Sequence, residues 1–233
     1  LIDEQDPACH TDGNQNNSNS YDPNRSESGG GVTPSITSGP TTSPTNSPTT
    51  IPSGSTSLQL SVFLHGIGQG GDSANPQSGG NANPLHPQRS AKVEVYNSQN
   101  QLVLTKDTGI AFDTSSGSFK ATIDMGTNLT TGVYNVKVQT EQFLKTLVPG
   151  IQNIAAGTQV QLPPTVMVNG DINLDNTVNI LDYNILSGCY SDFLPAVSCT
   201  ADNKVLADLD DDGNVNQFDY NLFLRELTNR IGQ

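Results

Sequence analysis

The chain has 233 residues, with 23 Asp and Glu against 10 Lys and Arg, a net charge of -13, no Trp and only 33% hydrophobic residues. That length accommodates one or two small domains plus unfolded segments, not a large enzyme core. An acidic surface repels nucleic acid and anionic membranes, and no run approaches the roughly 20 apolar residues of a membrane span, so cations are the natural partners. The charge is uneven, with 11 acidic and 3 basic side chains in residues 169–233 against 12 and 7 in the much longer 1–168. The first residue is Leu1 rather than Met, which reads as a mature or truncated product.

Residues 1–56 are polar and punctuated by proline, as in Thr33-Pro34, Gly39-Pro40, Ser43-Pro44, Ser47-Pro48 and Ile51-Pro52. Such a segment buries too little apolar surface to offset chain entropy, and it reads as a disordered Ser/Thr/Pro-rich linker or stalk of the kind found in surface proteins. Sequons at Asn16, Asn24 and Asn128 are short patterns that recur by chance in a chain this rich in Asn and Ser, and they carry no weight.

From residue 57 to 168 the apolar pattern has period two, which places alternate side chains on opposite faces of a strand. Leu58, Leu60, Val62 and Leu64 alternate, as do Val93 and Val95, Leu102 and Leu104, then Phe119, Ala121 and Ile123, and finally Tyr134, Val136 and Val138. A last strand is expected over 158–168. About seven short strands without helical periodicity predict an antiparallel β-sandwich. The segment Gly132-Val133-Tyr134-Asn135-Val136-Lys137-Val138, with Phe119 upstream and Ile154-Ala155-Ala156-Gly157 downstream, resembles the carboxypeptidase-regulatory-like, prealbumin-like sandwich family over residues 58–168. That resemblance implies a structural or adhesive module without catalytic residues.

The segment from His65 to Ser90 is a long loop rich in Gly, Asn and Pro, and loops of that length usually serve a function or lack order. Gly66-Ile67-Gly68-Gln69-Gly70-Gly71 fits G-x-G-x-x-G, yet no helix pattern follows, so a dinucleotide fingerprint is set aside. His65, His86 and Asp72 could form a metal or ligand site, though isolated polar loop residues are the commoner case. A glycan-binding edge is a minor alternative, since Tyr96 and Phe112 are the only nearby stacking platforms.

The strongest signal is an internal repeat. The segment from Asp171 to Asn184 aligns with that from Asp208 to Asn221 at an offset of 37, and seven of the 14 positions are identical. Each copy sets oxygen donors at positions 1, 3, 5 and 12, with a backbone carbonyl expected at 7, which is the spacing of an EF-hand calcium loop. Loop one offers Asp171, Asn173, Asp175, the Thr177 carbonyl and Asp182. Loop two offers Asp208, Asp210, Asp212, the Asn214 carbonyl and Asp219. Asn179 and Asn216 stand at position 9, where water usually mediates the contact, and position 6 needs a left-handed turn that Gly213 makes freely and Asn176 makes at some cost. Two calcium ions are expected, with loop two the tighter because it has four carboxylates to the three of loop one. Val178 and Val215, at position 8, are expected to pair through their backbones.

No helix pattern precedes either loop, but Leu181, Ile185 and Leu186 follow the first at helical spacing, and Phe218, Leu222, Phe223, Leu227 and Ile231 follow the second. The whole segment 169–228 resembles the dockerin family, which carries two loop-helix calcium repeats and docks onto cohesin domains in extracellular multienzyme complexes. The resemblance implies that positions 10 and 11 read the partner. Here they are Ile180-Leu181 and Gln217-Phe218, apolar and unlike each other where many members have a polar, near-symmetric pair. Ile180, Leu181 and Phe218 are therefore expected either to face a partner or to pack within the chain, for instance against the sandwich.

Of three cysteines, Cys189 and Cys199 flank the connector between the repeats and are expected to form a disulfide, given the extracellular character of the rest; Cys9 is left over in the leader. The expected architecture is mainly β plus a small α module: a stalk over 1–56, a β-sandwich over 57–168 and a dockerin-like unit over 169–233. The expected protein is secreted or held at the cell surface and non-catalytic, with no nucleophile-base pattern. Its calcium unit docks onto a cohesin-like partner, or docks intramolecularly and stabilises a sandwich that binds a glycan or protein ligand. A third role is that of accessory subunit in a polysaccharide-degrading complex.

Overall fold

Five long strands carry the alternating segments: β1 (Thr56–Leu64), β2 (Gln88–Tyr96), β3 (Leu102–Asp113), β4 (Ser118–Gly126) and β5 (Gly132–Thr140). This is a computed structural model, and it describes residues 54–191, 196, 198–227 and 230–233. The expected stalk to residue 53 and Cys9 lie outside them. In β1 every second side chain from Leu58 to Leu64 is buried; Val93 and Val95, Phe119 and Ile123, and Tyr134, Val136 and Val138 follow the same rule. Register pairs these side chains across strands, with Leu58 opposite Ile123, Val62 opposite Phe119, Val93 opposite Val138 and Val95 opposite Val136. In β3 Ile110 is buried, whereas Leu102 and Val103 lie at its exposed beginning.

Short strands complete the sheet: β6 (Gln142–Phe143), β7 (Thr146–Leu147), β8 (Gln152–Ile154), β9 (Gln159–Gln161) and β10 (Thr165–Met167). All but β6 join one nine-stranded sheet in the order β10-β1-β4-β3-β2-β5-β7, with β8 also on β5 and β9 also on β1. Met167 from one edge and Val148 beside the other enter the same core, so the sheet curls until its edges face one interior. The strand expected over 158–168 is broken in two, because Pro163 and Pro164 interrupt it and proline has no N–H to give to a ladder. Both pieces run parallel to β1, unlike the antiparallel pairing expected throughout, since the chain crosses from the β5 side back to the free edge of β1.

Beyond β10 the period changes to helical. The remaining elements are β11 (Asn169–Asp171), β12 (Thr177–Val178), α1 (Ile180–Cys189), α2 (Ala201–Ala207), α3 (Gln217–Glu226) and β13 (Arg230–Ile231). Leu186, Leu222 and Phe223 join Ile172, Val178, Leu209 and Val215 in a second core, to which the β region lends Leu144. A disulfide joins Cys189 at the end of α1 to Cys199 just ahead of α2. Thr200 caps α2, accepting from the Asn203 N–H at 3.2 Å. The described structure is thus mainly β with a small α module, and no helix among the described residues is long and apolar enough to cross a membrane.

Candidate metal centre

The two repeated loops fold on one plan, and the position-12 aspartates organise it. Asp182 Oδ1 accepts from the N–H groups of Ile172 and Asn173 at 2.8 and 3.0 Å, and Oδ2 accepts from Asn179 N–H at 2.8 Å. Asp219 repeats this with Leu209 and Asp210 at 2.7 and 3.2 Å and Asn216 at 2.8 Å. Each carboxylate is fully buried and ties the start of its loop to the start of the following helix. At position 9, where a water-mediated contact was expected, Asn179 and Asn216 cap α1 and α3, accepting from Leu181 and Phe218 N–H at 2.7 and 2.8 Å. With the aspartates they complete two capping boxes.

Position 1 receives the turn. Asp171 Oδ2 accepts from Asn176 N–H at 3.0 Å, and Asp208 accepts from Asp212 and Gly213 N–H at 3.0 and 2.7 Å. The turn needs left-handed backbone at position 6, with φ 64° at Asn176 and 95° at Gly213, and also at position 4, where Leu174 and Asp211 have φ 63° and 59°. Asn173 and Asp175 hydrogen-bond each other in loop one; Asn214 N–H donates to Asp212 in loop two at 2.8 Å. Oxygen atoms of Asp208, Asp210 and Asp212 lie within 4.8 Å of one another.

Two buried carboxylate oxygens, Asp171 Oδ1 and Asp210 Oδ1, lack any protein hydrogen bond. Burial, and then repulsion from Asp182 and Asp175, pushes the Asp171 carboxyl up to about 6. Burial and the neighbouring Asp219, Asp212 and Asp208 push Asp210 up to about 7. Asp219 is raised to about 6, chiefly by burial, and Asp208 is raised for the same reason. Crowded carboxylates that resist ionisation, with orphaned oxygens among them, fit a hard divalent cation bound through oxygen.

The expected backbone pairing of Val178 with Val215 is not what these residues do. Val178 pairs with Arg230 in the β12–β13 ribbon, and the Val215 carbonyl accepts from Ser191 N–H at 2.9 Å. The chain returns after α3 to cover the edge of loop one, so each valine has another partner. Packing of positions 10 and 11 inside the chain is also overturned, for Ile180, Leu181 and Phe218 are 62%, 54% and 61% exposed and Gln217 is exposed beside them. As the first residues of α1 and α3 they sit at helix starts whose buried faces are supplied by residues a turn further on.

His65, Asp72 and His86 do not converge on one site. Each reaches the C-terminal unit separately. His65 Nδ1 lies 2.8 Å from Glu226 Oε1 on α3, and Ser73 donates to the same buried carboxylate through its N–H and hydroxyl. Asp72 pairs with Arg225 at 2.8 Å, and His86 with Asp211 of loop two. The G-x-G-x-x-G segment is the tight turn that allows this approach: a Cβ on Gly66, whose φ is 85°, would lie 2.4 Å from Leu222 on α3. Sequence reasoning missed the partners Asn81, Arg89, Gln142 and Glu226, because only the folded chain brings the loop, β2 and β6 against loop two and α3.

Taken together, the described residues 169–227 form a duplicated loop-helix unit whose oxygen donors suit calcium. The family model of the dockerin type I domain matches residues 169–228. No curated protein matches the chain. Dockerin domains are non-catalytic modules that dock onto other proteins in a calcium-dependent manner.

Proposed function

We propose that the protein is a non-catalytic, secreted or cell-surface module that binds two calcium ions and docks onto a cohesin-like partner. The observation that carries this reading is the repeated frame of buried carboxylates, with one orphaned carboxylate oxygen in each loop, followed in each copy by an exposed pair, Ile180-Leu181 and Gln217-Phe218. Asp171, Asn173, Asp175, the Thr177 carbonyl and Asp182 hold the first ion; Asp208, Asp210, Asp212, the Asn214 carbonyl and Asp219 hold the second, with Asn179 and Asn216 acting through water. Bound calcium supplies the positive charge that seven loop carboxylates otherwise lack. Asp182 and Asp219 then fix where α1 and α3 begin, and so where each exposed pair stands. If the partner is a cohesin, the chain is an accessory subunit of a larger assembly, such as a polysaccharide-degrading one.

A second reading, intramolecular stabilisation, is favoured by the contacts of His65, Asp72 and His86 with α3 and loop two. In that case the calcium unit braces a β domain that carries its own glycan or protein ligand. Calorimetric titration of calcium into EDTA-stripped protein, followed by far-ultraviolet circular dichroism, tests the calcium reading. Two sites with a gain of helix are expected, and no binding would overturn it. Capture of a cohesin domain then separates docking from bracing.

A further inference from the structure

Loop two is gripped from outside the repeat. The Asp208 carbonyl accepts from Gln142 Nε2 at 2.9 Å, and Leu209 accepts from Asn169 Nδ2 at 2.6 Å. Asn81 Nδ2 donates to both Asp210 and Asp211 carbonyls at 2.8 and 2.9 Å, and Leu85 N–H adds a second bond to Asp211 at 3.0 Å. Four consecutive carbonyls of the loop are thereby held, three of them by the β region. The Asp211 side chain is held as well. Its carboxylate accepts from His86 N–H at 2.9 Å, meets His86 Nδ1 on the other oxygen and pairs with Arg89 at 3.0 Å. Arg89 is itself fixed, bonded to Gln142 at 2.8 Å and stacked near Phe119 and Phe143.

Asp211 stands at position 4, between the acidic positions 3 and 5. Its carboxylate is buried against the β region, whereas the corresponding Leu174 of loop one is exposed. A fifth negative charge is thus drawn out of the ligand set and neutralised by Arg89, and the left-handed backbone at Asp211 is fastened by its own carbonyl. Loop one is held differently, through Asn176, which accepts from Lys145 N–H at its side chain and Gly232 N–H at its carbonyl, both at 2.8 Å.

We propose that Asn81, His86 and Arg89 are positioning residues for calcium loop two, holding Asp210 and Asp211 in ion-binding shape so that the affinity of this loop depends on the β region. The proposal rests on the calcium reading above. A loop already fastened loses less conformational freedom when it closes on an ion, which strengthens binding without a new ligand.

The experiment is a calcium titration of the full chain followed by amide resonance, with Asn176 and Gly213, at position 6 of each loop, reporting the two sites separately. The variants are Asn81→Ala with His86→Ala, on the loop surface, and Arg89→Lys, which keeps the charge but loses the fork. Binding at the Gly213 site should weaken about tenfold in the double variant, a change of about 1.4 kcal/mol. The Asn176 site and the calcium-free spectrum elsewhere should stay unchanged. Equal losses at both sites would reveal general destabilisation and overturn the proposal, as would no loss at either. A wild-type chain that binds no calcium would instead sink the functional reading itself.

Discussion

Loops one and two share seven identical positions of fourteen and the same hydrogen-bonded frame, yet they sit in different surroundings. In loop one Asp171 is driven up by burial and like charge; in loop two Asp208, Asp210 and Asp219 are driven up, each chiefly by burial. Spacing dictates the frame, whereas burial and the crowding of carboxylates set how much repulsion a cation can relieve. The expectation that loop two binds calcium more tightly began as a count of carboxylates. It now has a second cause in the contacts that hold Asp210 and Asp211.

The comparison breaks most sharply at position 12. Asp219→Ala leaves three N–H groups, the buried one of Leu209 and the half-buried ones of Asp210 and Asn216, without the acceptor they share. At about 1–3 kcal/mol for the unsatisfied buried group and less for each half-buried one, the loss should be about 3 kcal/mol, read from the shift in urea midpoint in millimolar calcium. Asp182→Ala should cost a similar amount, because its three bonds are the same. If protease resistance in calcium were unchanged in either variant, the carboxylate would not be what holds the loop.

Next in size is the crosslink between the repeats. Cys189 and Cys199 close a loop of sequence separation 10, worth about 2–3 kcal/mol in the chain-entropy model. Cys189 also belongs to the second core, and Cys199 packs against it. Cys189→Ser with Cys199→Ser should lower the unfolding free energy by about 2–3 kcal/mol with calcium present, read from the drop in urea midpoint multiplied by m. Reduction of the wild type should reproduce it, and a midpoint indifferent to reductant would show that the connector contributes no restraint.

Acidity separates the loops from the lock beside them. In calcium-free protein the raised carboxylates Asp171, Asp210 and Asp219 bind protons in the folded state at a pH where the unfolded chain, near 3.8, does not. Stability should therefore rise as pH falls through about 7 and 6 toward 4. Glu226 behaves oppositely. Burial alone would raise it, but hydrogen bonds from His65 and Ser73 bring it below its usual 4.5. Asp72 is likewise lowered below 3.8 despite burial, by the N–H groups of Asn75 and Ala74 and by Arg225. Their contribution is present at neutral pH and is lost as pH falls below about 4. Thermal unfolding in EDTA should thus peak between about pH 4 and 5. In saturating calcium the rise on acidification should vanish, because protons and the cation compete for the same oxygens. A flat profile in EDTA would mean that the loop carboxylates are not strained.

Much of this was legible in the sequence where a local period or spacing decides the outcome. Alternation placed Leu58 to Leu64 and Tyr134 to Val138 in strands, and the repeat placed every proposed ligand in its loop. What was not legible depends on contacts distant in sequence. Asp211 reads as one more acidic residue until Arg89 and His86 are found against it, 122 and 125 positions away. His65 and Asp72 read as a loop cluster until α3 brings Glu226 and Arg225 opposite them. The parallel pairing of β9 and β10 with β1 is likewise a choice of sheet edge, which no local pattern encodes. The short helix α2 had a local signal in the Thr200 cap, but too few turns to show a period.

The smallest effect on stability should accompany the largest effect on docking. Ile180 begins α1 and Phe218 is the second residue of α3, each more than half exposed, so charging either removes little packing. Ile180→Asp and Phe218→Asp should change unfolding free energy by no more than about 0.5 kcal/mol. An Asp near a helix N-terminus also interacts favourably with the helix dipole, which opposes even that small loss. Calcium affinity should hold, since both side chains lie outside the ligand set. Capture of a cohesin domain, measured by surface binding in calcium, should fall at least tenfold for the variant whose helix faces the partner. Because the two corners differ, Ile180-Leu181 against Gln217-Phe218, one substitution should cost far more than the other. Equal losses would instead mean that the partner engages both repeats alike, and that the asymmetry of the loops stops short of the docking face.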